Sequence, residues 1–101
     1  MTDQDENNSP VFILRLYITG ASPNSIKAIS NIKIFCEKHL KDRYELQVVD
    51  VYQQPTIAKE EQLVALPLLV RSFPLPIKRL IGNLSDTGKI IKGLDLTENI
   101  N

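Results

Sequence analysis

The chain has 101 residues, 43% of them hydrophobic, which suffices for one compact domain with its own core. Its 12 basic and 12 acidic residues cancel, so no net charge draws it to nucleic acid or to an anionic membrane. A membrane span needs about 20 consecutive apolar residues, and the sequence has no such run. The acidic start and single cysteine predict a cytoplasmic protein.

Structure is predicted to begin after a polar start. We predict a disordered acidic tail over residues 1–10, a single domain over 11–97 and a short tail over 98–101. From Val11 to Ile18, apolar side chains occupy both faces of a strand and are interrupted only by Arg15. Apolar residues on both faces indicate a central strand of a sheet.

A helix is predicted directly after this strand. Gly20 ends the apolar run, Ser22 provides a hydroxyl for the N-cap, and Pro23 suits the first helical turn. Apolar residues then recur at steps of three and four, which predicts one buried stripe. The stripe consists of Ile26, Ile29, Ile32, Cys36 and Leu40.

The pattern after the helix predicts four further elements before the C-terminal segment. Tyr44 to Val51 reads as a second strand, and a connection of this length is typical of a βαβ unit with parallel strands. A short helix is predicted over Thr56 to Leu63. The apolar segment up to Phe73 has Pro67 where a strand would begin, and Ile77 to Ile81 predicts another strand. The inward residues of the second strand are predicted to be Tyr44, Leu46 and Val48.

The segment from Ser85 to Leu96 does not decide between helix and strand. Ser85 suits a helix N-cap, but Gly88 and Gly93 each cost a helix about 1 kcal/mol relative to alanine. The β-branched residues after Lys89 favour a strand, which Gly93 weakens as well. Both states stay open from local propensity.

This order of elements is that of a thioredoxin-like α/β domain, in which redox chemistry uses a dithiol in the turn before the first helix. Here residues 19–24 contain no cysteine. Cys36 lies on the apolar stripe and is predicted to be a buried core thiol, with a reactive thiol as the alternative. One cysteine and the single His39 are too few for a metal site. We expect no metal and no cofactor.

Basic residues dominate one part of the chain. Between residues 71 and 92, Asp86 is the single acid. The five basic residues there are Arg71, Lys78, Arg79, Lys89 and Lys92. A solvated edge is one interpretation, and a surface that binds an acidic partner is the other.

Four stretches of the sequence resemble the KaiB family of small clock proteins. They are LRLYITGASPNSIKAI, VVDVYQQP, LVALPLL and PLPIKRLIGNLSDTGKIIKGLDL. The resemblance implies a non-enzymatic regulator that rests as a homotetramer in one fold and converts, as a monomer, to a thioredoxin-like fold. The C-terminal half would therefore have an alternative arrangement. The converted form would bind the ATPase ring of KaiC and capture KaiA, in competition with a SasA-type kinase.

The resemblance also implies roles for particular residues. Those implied to contact the partner are Lys27, Ala65, Arg71 and Lys78. Those implied in the change of fold are Pro67, Pro74, Pro76, Gly93 and Asp95. Leu66 departs from the threonine usual before the proline, and the Leu66–Pro67 bond is expected to be cis, as in thioredoxin-like folds. A role in stress adaptation, as in some relatives, and a KaiC-independent redox role through Cys36 remain as alternatives.

Overall fold

A computed structural model describes residues 11–63 and 65–96 of the chain. The predicted tails over 1–10 and 98–101, and the domain boundary at residue 97, lie outside these residues. The described part forms four strands and three helices. In chain order these are β1 (Phe12–Ile18), α1 (Pro23–His39), β2 (Tyr44–Asp50), α2 (Pro55–Glu60), β3 (Leu68–Phe73), β4 (Lys78–Ile81) and α3 (Thr87–Gly93).

The strands form one mixed sheet in the order β2, β1, β3, β4. β1 pairs in parallel with β2 and antiparallel with β3, and β3 pairs antiparallel with β4. Leu14 and Leu16 of β1 are fully buried on one face, and Tyr17 is 3% exposed on the other. The predictions of a central first strand and of a parallel βαβ unit are confirmed.

Two separate apolar clusters cover the two faces of the sheet. The larger one joins α1 and α3 to Phe12, Leu14 and Leu16. The smaller one gathers around Tyr17 and Val49, with Ile57 of α2 packed against it. One face of the sheet is therefore covered by α1 and α3, and the other by α2, which has only six residues.

The buried stripe of α1 differs from the predicted one at its start. The helix begins at Pro23 with Ser22 as N-cap, as predicted. Ile26, however, is 54% exposed, so its place in the stripe was wrong. The fully buried residue there is Ser25, because its hydroxyl accepts a hydrogen bond from Thr19 N at 3.1 Å and so faces the sheet. The buried residues of α1 are Ser25, Ala28, Ile32, Phe35 and Cys36.

β2 is less buried than predicted because it lies at the edge of the sheet. Val48 was predicted to point inward, and it is 38% exposed. Tyr44 and Leu46 are half-buried against the larger cluster. Val49 and Val51 are each 7% exposed and belong to the opposite cluster.

The segment between β2 and β4 follows the predicted order with shifted ends. α2 ends at Glu60 rather than at Leu63, and Gln62 has a φ of 55°, which a helix cannot continue through. β3 begins at Leu68, directly after Pro67. The Leu66–Pro67 bond is cis, as expected, and the Phe73–Pro74 and Leu75–Pro76 bonds are cis as well.

The C-terminal segment that local propensity left open is helical in this structure. Its N-cap is Asp86, whose Oδ1 accepts a hydrogen bond from Lys89 N at 3.2 Å, so the prediction of Ser85 as N-cap was wrong. The carboxylate favours this position because it faces the positive end of the helix dipole. After the helix, Leu94 and Leu96 are fully buried in the larger cluster.

A carboxylate at the end of β2 joins the two loops at this edge of the sheet. Asp50 Oδ1 accepts hydrogen bonds from Gly20 N and from Tyr52 N, both at 2.9 Å. Gly20 has a φ of 56°, which glycine adopts without strain. Asp50 therefore fixes the turn that leads into α1.

Replacing Asp50 with alanine removes the acceptor of both bonds. We expect Asp50→Ala to lower the free energy of unfolding by about 2 kcal/mol, since hydrogen bonds to charged groups contribute about 1.5–3 kcal/mol. Asp50→Asn keeps one side-chain oxygen as an acceptor and should lower the free energy of unfolding by less. The measurement is urea denaturation, with Glu45→Ala on the same strand as the exposed control. Equal losses in Asp50→Ala and Glu45→Ala would contradict this role.

Candidate partner-binding surface

The turn between β1 and α1 holds hydroxyl groups where a thioredoxin-like enzyme would hold its dithiol. Ser22 Oγ donates a hydrogen bond to Ser25 Oγ at 2.8 Å, and it accepts one from Ser25 N at 3.3 Å. Thr19 N donates to Ser25 Oγ. These groups satisfy one another and cap α1, so the turn is a structural element without a redox group.

Cys36 lies on the face of α1 that packs on the sheet and is fully buried. Burial, with a smaller contribution from the charge of Glu37, raises the pKa of its thiol to about 12. The prediction of a buried core thiol is confirmed. Its neighbour His39 is half-buried, with its ring centroid 4.6 Å from that of Phe35. Residues 11–63 and 65–96 contain no cluster of three His, Cys, Asp or Glu residues that could hold a metal ion.

The basic residues implied to contact a partner lie in three different environments. Lys27 is exposed on α1, and Lys78 is partly exposed at the start of β4. Arg71 lies on β3, directly opposite Lys78 on β4. Ala65 precedes β3 and is half-buried. No side-chain hydrogen bond or ion pair joins these four residues within the described part of the chain. The fold therefore brings together Arg71 and Lys78 but not the whole set.

Arg71 does not belong to the exposed basic edge. Its side chain is 4% exposed, because β3 directs it toward the face of the sheet that α3 covers. Nη1 donates a hydrogen bond to Leu94 O at 2.6 Å, and Nη2 donates one to Pro76 O at 2.9 Å. The expectation of an exposed charge at Arg71 was therefore wrong. The alternation with buried Leu69 on the same strand could have indicated an inward side chain.

The residues implied in the change of fold surround β3, β4 and α3. Pro67 precedes β3, whereas Pro74 and Pro76 lie in the turn between β3 and β4. Gly93 is the last residue of α3, and a Cβ added to it would lie 3.1 Å from Leu80 Cδ1. Asp95 follows with a φ of 58°, a strained conformation for a residue other than glycine.

One exposed apolar feature of this region was not predicted as a site. The turn from Phe73 to Ile77 presents three large side chains, which are 47% exposed at Phe73, 71% at Leu75 and 52% at Ile77. Apolar residues between prolines in a turn are the signal that could have indicated it. Lys78 and Arg79 follow directly, so apolar and basic groups adjoin there.

Comparison with known proteins shows the family to which the chain belongs. The KaiB domain matches residues 15–96 of the chain. The chain belongs to the KaiB family. Circadian clock protein KaiB3 of a Synechocystis species is 44% identical over 84 residues, which cover 83% of this chain and 82% of that protein. Circadian clock oscillator protein KaiB of Synechococcus elongatus is 42% identical over 85 residues, covering 84% and 83%.

The described form of this KaiB-family chain has a thioredoxin-like fold. The N-terminal domain of Synechococcus elongatus SasA has a TM-score of 0.67 and 26% identity, and the match covers 92% of this chain and 91% of that one. Chloroplastic thioredoxin z has a TM-score of 0.70 at 12% identity, covering 97% and 91%, which shows the fold alone. The predicted fold class is confirmed. Among the described residues, no helix is long and apolar enough to span a membrane.

The burial of Cys36 makes its reactivity a direct test of the redox alternative. A pKa of about 12 rather than 9 leaves about a thousandfold less thiolate at pH 8, and thiolate is the reactive form. We expect the native protein to react with a chromogenic disulfide at least about a thousandfold more slowly than the urea-unfolded chain. Stopped-flow absorbance measures both rates. Rapid reaction of native protein at neutral pH would instead indicate an accessible, activated thiol.

Proposed function

We propose that this chain is a non-enzymatic regulatory protein that binds a KaiC-type ATPase. The observation that carries the proposal is the KaiB-domain match over residues 15–96. Two features of the structure support binding rather than catalysis. The turn before α1 contains hydroxyls in place of a dithiol, and Cys36 is fully buried.

The proposed contact groups are basic and apolar residues exposed on α1, on β4 and in the turn that leads into β4. Lys78 and Lys27 supply positive charge that is open to an acidic partner, and Ala65 is a small, half-buried residue in the segment before β3. Charge complementarity of this kind raises association rates and suppresses wrong partners more than it raises affinity. The exposed Leu75 lies in the turn that leads into Lys78 and can bury apolar area on binding.

The proposed cycle has a homotetramer at rest and a thioredoxin-like monomer as the binding form. The form described here would be the binding one, and its C-terminal segment is weakly encoded. Gly93 lowers the helix propensity of α3, and Asp95 has a positive φ that costs about 1–2 kcal/mol in residues other than glycine. A form with these costs can exchange with another arrangement of similar free energy.

The likeness to the SasA domain supports the remaining partners of the proposal. SasA shares the fold at 26% identity, and two domains of one fold can present similar surfaces to one ATPase ring. This likeness supports the proposed competition with a SasA-type kinase for that ring. Capture of a KaiA-type protein by the bound form completes the proposed set of partners.

Charge reversal of the two open lysines tests the proposed surface. We expect Lys27→Glu combined with Lys78→Glu to weaken binding to a KaiC-type ATPase of the same organism at least tenfold, because repulsion replaces attraction. The free energy of unfolding should change by less than about 0.5 kcal/mol, since neither lysine forms an ion pair within the described part. Isothermal titration and urea denaturation give the two quantities.

The matched control reverses the same charge elsewhere. Lys41→Glu combined with Lys59→Glu also changes two exposed lysines, and it should bind like the wild type. Equal weakening in both pairs would mean that net charge alone governs the encounter. A wild-type chain that fails to co-elute with the ATPase at about 10–50 μM over a day would contradict the proposed function itself, since a specific complex reaches micromolar affinity.

Gly93→Ala tests the proposed exchange between forms. Gly93 has helical rather than positive φ here, so alanine recovers up to about 1 kcal/mol of helix propensity, or about fivefold in population. Leu80 must move by a few tenths of an ångström to admit the methyl group, and its Cδ1 is the free end of a half-buried side chain. We expect faster tetramer dissociation and a larger binding-competent fraction, measured by size-exclusion chromatography and ATPase binding.

Gly88→Ala provides the comparison within the same helix. Gly88 is exposed, so alanine there adds helix propensity without touching Leu80, although its Cβ would lie 3.3 Å from Asp86 Oδ1 and the N-cap carboxylate must shift by a few tenths of an ångström. It should shift the populations in the same direction. A Gly93→Ala protein that is more tetrameric and binds more slowly would contradict the proposed role of α3 in the exchange.

A further inference from the structure

We propose that Arg71 is a positioning residue that latches α3 and the Phe73–Ile77 turn onto the sheet, rather than a residue that touches the partner. The Arg71 latch is defined as its guanidinium together with the carbonyls of Pro76 and Leu94. Its effect on binding rests on the proposed function, whereas its effect on the structure does not.

The latch joins two segments that are separate in the chain. Nη2 binds Pro76 O, five residues away, and Nη1 binds Leu94 O, 23 residues away. Arg71 itself is anchored in the sheet, where its backbone pairs with Leu14 on β1 and with Lys78 on β4. One planar side chain therefore ties both segments to the centre of the fold.

The Leu94 carbonyl is a group that requires such a partner. It belongs to the C-cap residue of α3, and the last carbonyls of a helix find no N–H donor within the helix. A cation there also interacts favourably with the negative end of the helix dipole. The next residue, Asp95, has a φ of 58°, so the bond to Leu94 O holds the chain where it turns through a strained conformation.

The buried guanidinium of Arg71 forms only some of the hydrogen bonds that its N–H groups could donate. Its Nε has no hydrogen-bond partner, and no carboxylate forms an ion pair with it within residues 11–63 and 65–96. A buried charge of this kind is costly unless its hydrogen bonds form, so the two carbonyl bonds decide whether this arrangement persists. Loss of either hydrogen bond would leave the buried guanidinium with one more N–H group without an acceptor. The latch is therefore expected to open as a unit.

The latch also sets the position of the proposed contact groups. The bond to Pro76 O lies in the turn that exposes Leu75 and leads directly into Lys78. Breaking it would free this turn and the end of α3 without removing any exposed charge. A contact residue would behave differently, because its loss would weaken binding while leaving both segments in place.

The test is amide hydrogen exchange on the full chain, comparing Arg71→Gln and Arg71→Lys with the wild type. Because hydrogen bonds from a charged donor stabilise more than neutral ones, Arg71→Gln should raise exchange at residues 88–96 at least about tenfold. Exchange in the middle of α1 should stay unchanged. Arg71→Lys keeps the charge but lacks the planar fork, and it should give an intermediate increase and partly restore binding to the ATPase. Arg79→Gln removes an exposed arginine on the adjacent strand and should leave exchange unchanged.

Each result bears on the latch directly. Unchanged exchange at residues 88–96 in Arg71→Gln, or an equal increase throughout α1, would overturn it. If Arg71→Gln does not fold, exchange of Arg71→Lys at residues 88–96, compared with the middle of α1, tests the latch instead. Weaker binding of Arg71→Lys with unchanged exchange would show that Arg71 is a contact residue instead. A wild-type chain that does not bind the ATPase would remove the proposed function and leave the exchange result as the test of the latch.

Discussion

The structure depends on the pairing of β1 with strands on both sides. β1 forms a parallel pair with β2 through α1 and an antiparallel pair with β3, and its side chains are buried on both faces. Because β3 is hydrogen-bonded to β1, with Leu14 opposite Arg71, this pairing helps to set the position of Arg71 and of the segments joined to it. The Asp50 carboxylate fixes the turn at one end of β1, and the Arg71 guanidinium holds the segments packed near the other.

Local sequence patterns predicted the elements better than they predicted which side chains are buried. Ser22 and Pro23 indicate the start of α1 because capping is a local interaction. Ile26 was assigned to the buried stripe, but a hydrogen bond from Thr19 turns Ser25 inward instead. That bond joins the helix to the end of β1, so helical periodicity alone carries no sign of it. The same holds for Arg71, whose carbonyl partners are known only once β3 and α3 meet.

The sequence supplied the candidate contact residues, and the structure shows where each of them lies. The exposed position of Lys27 agrees with a contact role, and the partly exposed Lys78 adjoins an apolar turn that charge patterning did not reveal. In the turn of this thioredoxin-like framework hydroxyls stand where a dithiol would lie, and burial raises the pKa of the Cys36 thiol to about 12. What the framework does provide is a helix that presents Lys27 and an edge strand that presents Lys78.

The weak local encoding of α3 has a physical explanation in the balance between propensity and packing. Burying Leu94 and Leu96 contributes about 1.5–3 kcal/mol each. Gly88 and Gly93 cost a helix about 1 kcal/mol each, and the positive φ of Asp95 adds about 1–2 kcal/mol. These terms are of similar size, so α3 forms because of its contacts with the sheet and not because of its own sequence. The stability of such a helix depends on its few contacts with the rest of the fold. One of them is the hydrogen bond from the buried guanidinium of Arg71 to Leu94 O.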